Sequence, residues 1–259
     1  MGRGAAVLLD IDGVLTVGWK PVPGAVAALR RLHADGVPYV LLTNTTSRTG
    51  ASIADALAEA GFPVGAGSVL TAPAAAAERL AGLRCLLLNS GDIRADLAGV
   101  ELVEEPEDAE VVLIGGAGPE FGYRELDRAF AALRGGARLV AVHRNAYWRT
   151  AEGLQLDSGA FVAGLEYAAG VEAEILGKPA GAFFAGALAH LGVTAAEAVM
   201  VGDDIESDVL GAQRHGITGV LVRTGKAAPG APVRAGGEPD HVLDSVADLP
   251  ELLARLRQG

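Results

Sequence analysis

The stretch Ala5-Ala6-Val7-Leu8-Leu9-Asp10-Ile11-Asp12-Gly13-Val14-Leu15 decides the fold. An apolar run of strand length, Ala5–Leu9, ends abruptly in two carboxylates and a glycine. A run that is apolar at every position reads as a strand buried on both faces, the pattern of a parallel sheet. The same grammar recurs. Val37–Leu42 ends in Thr43-Asn44-Thr45-Thr46, and Ala198–Val201 ends in Gly202-Asp203-Asp204 with Asp208 beyond. Ligands of open parallel sheets bind outside the carboxyl ends of the strands. Three strands are therefore expected to bring carboxylates and hydroxyls to one edge.

Working outward, strands alternate with helical segments. Pro23–Ala34 reads as a helix closed by Gly36, and Ser47–Ala60 as a second, with Ser47 as its N-cap and Gly61 at its end. Further on, Ala182–Leu191 reads as a helix, Ile205–His215 as a helix, Thr218–Val222 as a strand and Asp248–Arg257 as a closing helix. Between these blocks, Arg84–Leu88, Glu110–Ile114 and Arg138–Val142 read as strands, and Tyr123–Leu133 and Gly159–Ala169 as helices. The expected fold is α/β: a Rossmann-like three-layer core with a parallel sheet, plus an inserted α/β domain. The core is placed at residues 1–78 and 176–259 and the insertion at 79–175, because the candidate chemistry flanks the insertion. Ala72–Ala77 reads as a helix start or hinge, and Gly225–Pro239 as an exposed loop.

Composition bounds the function. The chain has 259 residues, half of them apolar, with a net charge of −11. That length can bury a full core. The acidity excludes a general binder of nucleic acid or anionic membrane. A single cysteine, Cys85, excludes an internal disulfide or a multi-cysteine zinc site, and it reads as a small buried hydrophobe. No apolar stretch is long enough to span a membrane, and Met1-Gly2-Arg3-Gly4 leads straight into a strand rather than a signal peptide. The expected protein is soluble and cytoplasmic.

The strand-end residues carry the candidate chemistry. Clustered carboxylates repel unless a cation is present, and several oxygen ligands around a hard cation is the Mg²⁺ pattern. Asp10 and Asp12, at alternate positions, share one side of an extended segment. One can attack and form a covalent intermediate while the other serves as general acid and base. Read alone, the pair is equally an Asp-rich turn. Thr43 offers a hydroxyl, Asn44 an amide, and Thr45–Ser47 a helix N-terminus that favours an anion. Lys178, one of three lysines, sits in Gly177-Lys178-Pro179 and can hold a phosphate oxygen, or else be a solvated loop lysine. Asp203 can ligate a metal. Asp208 can order Lys178 or metal-bound water. Asp204 and Glu206 read as helix caps.

The ordered set of Asp10-x-Asp12-Gly13, Thr43, Lys178-Pro179 and Gly202-Asp203-x-x-x-x-Asp208 resembles the four motifs of the haloacid dehalogenase-like superfamily, over essentially the whole chain. The insertion between Thr43 and Lys178 is similar to that of subclass IIA, the NagD-like phosphatases. The stretches Leu41–Thr46, Phe161–Tyr167, Gly177–Pro179, Ala198–Asp204 and Leu221–Lys226 resemble its branch of phospholysine phosphohistidine inorganic pyrophosphate phosphatases and their hydrolase-domain relatives. The resemblance implies Asp10 as nucleophile and Asp12 as general acid/base. It implies Thr43 and Lys178, with Asn44, as phosphate holders. Asp10, Asp203 and the carbonyl of Asp12 would be Mg²⁺ ligands, with Asp208 and Asp204 supporting. An acid at position 12 points to phosphoryl transfer rather than dehalogenation.

The implied function is a Mg²⁺-dependent phosphatase acting on small phosphorylated metabolites (a phosphate ester, pyrophosphate or phosphoamidate) through an aspartyl-phosphate. The alternatives are a phosphotransferase or phosphomutase on the same chemistry, or a non-catalytic binder of a phosphorylated ligand. The inserted cap would supply specificity from His143, Arg144, Asn145, Tyr147, Trp148 and Arg149. His143 reads equally as a surface-loop imidazole, and Tyr147 and Trp148 as packing or interface residues. His143-Arg144-Asn145-Ala146 replaces the Thr-Asn-x-Asp stretch of many relatives, and Gly115-Gly116-Ala117-Gly118 lacks an acidic residue that some carry. Both departures set this chain apart from relatives that take sugar phosphates and nucleotides. Asp157-Ser158-Gly159 reads as an N-cap or a site-facing turn, and Trp19 as part of a sealing flap or a cover for the core. The resemblance also implies a homodimer through the cap.

Overall fold

The computed structural model describes residues 6–119, 121–150, 153–227 and 236–257. Met1–Gly4, Ala5 at the expected start of the first strand, residues 228–235 of the Gly225–Pro239 loop, and the side chains of Trp148 and Arg149 lie outside the described residues. The chain divides into two units. One comprises Met1–Thr43, Ala51–Leu70 and Lys178–Gly259, and the other Asn44–Gly50 and Thr71–Gly177. The expected boundary at 78/79 falls inside the helix Ala72–Leu80, whose N-cap is the Thr71 hydroxyl. The division comes before that helix, between Leu70 and Thr71.

The first unit is built on a six-stranded sheet in the order His241–Leu243, Thr218–Val222, Ala198–Gly202, Ala6–Asp10, Tyr39–Thr43 and Val69–Thr71. The pairings from His241–Leu243 to Tyr39–Thr43 are parallel. Every residue of Ala6–Asp10 is buried, as the unbroken apolar run up to Leu9 requires, and Asp10 is buried with it. The core on one face gathers Val7, Leu9, Leu41, Val199 and Val201 from the sheet. Against them pack Leu29 and Leu32 of the helix Ala25–Ala34, and Leu249, Leu252 and Leu253 of the helix Leu249–Leu256. Both helices bury residues three and four apart, the stripe that an amphipathic helix must present.

Register sets up the site. Asp10 lies opposite Leu42, Leu9 opposite Val201, and Gly202 opposite Leu221. Asp10, Thr43 and Asp203 therefore emerge at the same edge. The chain leaves Ala6–Asp10 in one direction through Tyr39–Thr43 and returns on the other side through Ala198–Gly202. That reversal is the switch point where such sheets hold ligands. Past Asp12, Thr16–Val17 and Lys20–Pro21 form a hairpin whose turn residues Gly18 and Trp19 both take positive φ. Trp19 packs against the core.

The second unit has its own parallel sheet, ordered Glu174–Ile175, Arg138–Ala141, Val111–Ile114, Arg84–Leu88 and Glu101–Val103. The helices Tyr123–Arg134 and Ser158–Ala169 supply Ala129, Leu133, Val162 and Leu165 to its core. An antiparallel hairpin, Tyr147–Thr150 with Gly153–Leu156, follows the strand Arg138–Ala141. Cys85 is buried as expected, and burial pushes its thiol up to about 11.

The second helix begins at Gly50, not at Ser47. Its first amide is already satisfied, because Gly50 N–H donates to both oxygens of Asp96 at 3.1 and 3.0 Å. Asp96 Oδ2 also accepts from the Thr71 hydroxyl at 2.7 Å. Ser47 is thus no N-cap, and Thr45–Ser47 is no helix N-terminus awaiting an anion. Caps contribute about 0.5–2 kcal/mol. Asp96→Ala is accordingly expected to lower the unfolding free energy by about that amount in denaturant titration, with Ser47→Ala nearly neutral. The reverse ranking would contradict the reassigned cap.

Candidate functional site

Lys178 is the hub of the edge formed by the strand ends. Its side chain is 3% exposed, and Nζ stands 2.6 Å from Asp10 Oδ1 and 2.8 Å from Asp208 Oδ1. The same ammonium donates to the carbonyl of Leu42 at 3.4 Å. Burial works against its charge, but Asp10 and Asp208 more than offset this and raise its pKa. The loop lysine of the sequence reading is a buried ion-pair centre, not a solvated one.

Asp10 and Asp203 are also buried, and Asp10, Asp203 and Asp208 each direct a carboxylate oxygen into one region, all within 4.8 Å of one another. Burial pushes Asp10 upward against the pull of Lys178, and the Asp12 charge adds to the rise. Asp203 is raised well above the usual carboxylate range by burial, then by the charges of Asp10 and Asp208. Burial carries Asp208 to about 6 despite Lys178. Three buried oxygen donors in mutual repulsion fit a hard divalent cation. Asp12 adds no carboxylate to this set. Its side chain is exposed, and the backbone bridges to Thr16. Thr43 is buried at the end of its strand, one residue past the Lys178-bound Leu42 carbonyl.

Local geometry explains why Asp208 reaches back. Asp204 caps the following turn, accepting from Glu206 and Ser207 N–H at 3.1 Å each. The expected helix from Ile205 opens as a π-helical turn over Ile205–Leu210, with Val209 N–H donating to the Asp204 carbonyl. Such wide turns recur at functional sites. Asp208 then folds over Gly202, where any Cβ would overlap its side chain, and its Oδ2 accepts from Asp204 N–H at 3.1 Å. Glu206 lies in the first turn of that helix, where an acid is favoured, and its carboxylate faces Arg214 at 3.4 Å.

Two placements differ from expectation. Lys226, at the start of the supposed exposed loop, belongs to the edge. Its backbone N–H donates to Asp203 Oδ2 at 2.6 Å, and Nζ donates to Asp204 Oδ2 at 2.7 Å. The Lys226 ammonium pulls Asp204 below the usual carboxylate range, although burial opposes it. The signal for Lys226 was a lysine in the turn that follows the strand Thr218–Val222, in a chain with three lysines. In the second unit, His143 is no surface imidazole. It is buried, 3.3 Å from the Ser158 hydroxyl and 3.9 Å from Asp157 Oδ2. Asp157 caps its helix through Ser158 N–H at 2.7 Å.

The other second-unit candidates do not converge. Arg144 pairs with Glu166 at 2.6 Å, Tyr147 is 43% exposed on the hairpin, and Asn145 receives Gly159 N–H on its carbonyl. Asn44 lies against Gly177, where a Cβ would strike its side-chain oxygen. Among the described residues, no helix is long and apolar enough to cross a membrane.

Residues 7–120 match the haloacid dehalogenase-like hydrolase family, and residues 175–249 match a HAD-hydrolase-like family. The phospholysine phosphohistidine inorganic pyrophosphate phosphatase of Bos taurus is 37% identical over 256 residues, which span 95% of this chain and 93% of that one. The p-nitrophenyl phosphatase of Archaeoglobus fulgidus superposes with a TM-score of 0.89 at 26% identity, covering 96% of this chain and 99% of that one. NagD from E. coli K-12 gives 0.83 at 27%, covering 96% and 98%. The chain belongs to the haloacid dehalogenase-like hydrolase family. Within that family it falls in subclass IIA, and it is a phosphatase.

Carboxylates raised above their usual range hold protons that a cation must displace. Asp203 is raised well above the usual range, and Asp208 titrates at about 6. Adding MgCl₂ to metal-free protein in weak buffer near pH 6 is therefore expected to release protons and acidify the solution. Proton uptake, or no change, would contradict the reading of this edge as a cation site.

Proposed function

We propose that the protein is a Mg²⁺-dependent phosphatase for small phosphorylated metabolites, working through a phosphoryl-aspartate on Asp10. The observation that carries this reading is the convergence of Asp10, Asp203 and Asp208 within 4.8 Å, with Lys178 buried between two of them. When bound, Mg²⁺ supplies charge neutralisation to the transferring phosphoryl oxygens. Asp10 and Asp203, with the carbonyl of Asp12, would hold it, and Asp208 would brace the set through Lys178.

In the first step a carboxylate oxygen of Asp10 forms a bond to phosphorus while the bond from phosphorus to the leaving group breaks. Asp12 delivers its proton to the departing atom. Its exposure suits a group that must exchange protons with solvent and leaving group. In the second step water attacks phosphorus, Asp12 takes the water proton, and the Asp10 carboxylate is released with inorganic phosphate. Thr43 and Lys178 hold phosphoryl oxygens during both steps. Lys178 also keeps Asp10 ionised and aimed, because its ammonium is anchored on two other oxygens.

The second unit, inserted in sequence between Thr43 and Lys178, is proposed to act as a cap that supplies specificity. The relatives named for p-nitrophenyl phosphate and for phosphohistidine, phospholysine and pyrophosphate support P–O and P–N substrates alike. Asp10→Asn is expected to reduce Mg²⁺-dependent hydrolysis of p-nitrophenyl phosphate by at least about a thousandfold, as losing a covalent nucleophile does. Turnover near the wild-type rate in that variant would refute the assignment.

A further inference from the structure

We propose that Lys226 is a positioning residue that aims Asp203, a role that rests on reading Asp203 as a ligand of the divalent cation. The inference begins with space. Gly13 has a φ of 84° and Gly225 a φ of 58°, and a Cβ at either would overlap Asp203 Oδ2. The carboxylate therefore lies in a slot walled by two residues without side chains. The slot is closed by the Lys226 backbone N–H, bonded to that same Oδ2 at 2.6 Å.

What holds the N–H there is local. The Thr224 hydroxyl donates to the Gly13 carbonyl and clips the segment to the turn after Asp12. The Lys226 side chain doubles back to Asp204 Oδ2 at 2.7 Å. Asp204 is itself fixed, since its other oxygen caps the π-helical turn that carries Asp208. One residue thus grips two consecutive carboxylates, Asp203 with its main chain and Asp204 with its ammonium. The consequence for Asp203 is that one oxygen is committed to the protein, so the carboxylate cannot rotate freely at the strand end. Outer contacts that orient a metal ligand act this way.

The alternative role for an ammonium here has the opposite sign. A positive charge acting only through space would repel a cation, so removing it would tighten binding. Isothermal titration of MgCl₂ into the metal-free full-length protein separates the two. Lys226→Met is expected to weaken Mg²⁺ binding about tenfold, and Asp204→Asn to weaken it similarly. The double variant should be no weaker than either single one, because all three break the same contact. At saturating Mg²⁺ the variants should recover most of the wild-type kcat, so the defect reads as a shifted Mg²⁺ dependence. Unchanged melting temperatures would separate this from unfolding. Binding by Lys226→Met that is unchanged or tighter, or losses that add in the double variant, would overturn the proposal. Asp203→Asn serves as the separate control: if it binds Mg²⁺ like the wild type, the ligand assignment itself fails, whatever the Lys226 variants do.

Discussion

The structure of the edge depends on one buried interaction, the Lys178 ammonium held between Asp10 and Asp208. Buried like charges are tolerated only when opposite charges or protons offset them. Here four aspartates are drawn to one sheet edge, and two lysines are drawn in with them. Lys178 hydrogen-bonds to Asp10 and forms an ion pair with Asp208, and Lys226 divides its hydrogen bonds between Asp203 and Asp204. Asp10, Asp203 and Asp208 remain raised even so, because burial and mutual repulsion exceed what the lysines neutralise. That residual imbalance suits the edge to a hard divalent cation and supports the phosphoryl chemistry proposed for it. It also reconciles a net charge of −11 with an anionic substrate, since the positive potential is local.

The sheet supplies the precision. Ala6–Asp10 lies between Tyr39–Thr43 and Ala198–Gly202, so residues far apart in sequence are brought to one edge by parallel pairing alone. A register slip of one residue would turn Asp10 to the opposite face and bring an apolar neighbour in its place. Glycines then set the fine spacing. Gly202 admits the Asp208 side chain, and Gly13 and Gly225 admit the Asp203 carboxylate.

Most of this was legible in the residues, for a physical reason. The central strands are buried on both faces, so their apolar runs are unbroken, and the polar residues that end them stand out. Strands such as Thr16–Val17, Val69–Thr71 and His241–Leu243 were missed because two or three residues show no period. Ser47 had the right chemistry for an N-cap, but Asp96, distant in sequence, occupies the amide instead. The hairpin Tyr147–Thr150 with Gly153–Leu156 overlaps the residues expected to supply specificity, and only tertiary structure shows that His143 is buried against Ser158. Lys226 was hidden by its surroundings. Gly, Pro and Ala after a strand read as a surface loop, and nothing local reveals that the loop folds back onto Asp203.

The central claim is that the edge exists to make Asp10 a nucleophile. Rapid acid quench of the Mg²⁺-loaded protein turning over p-nitrophenyl phosphate, followed by peptide mass spectrometry, tests it most directly. The account predicts a phosphoryl adduct on the peptide carrying Asp10, absent in Asp10→Asn. Full turnover with no adduct, or an adduct on a different residue, would contradict it.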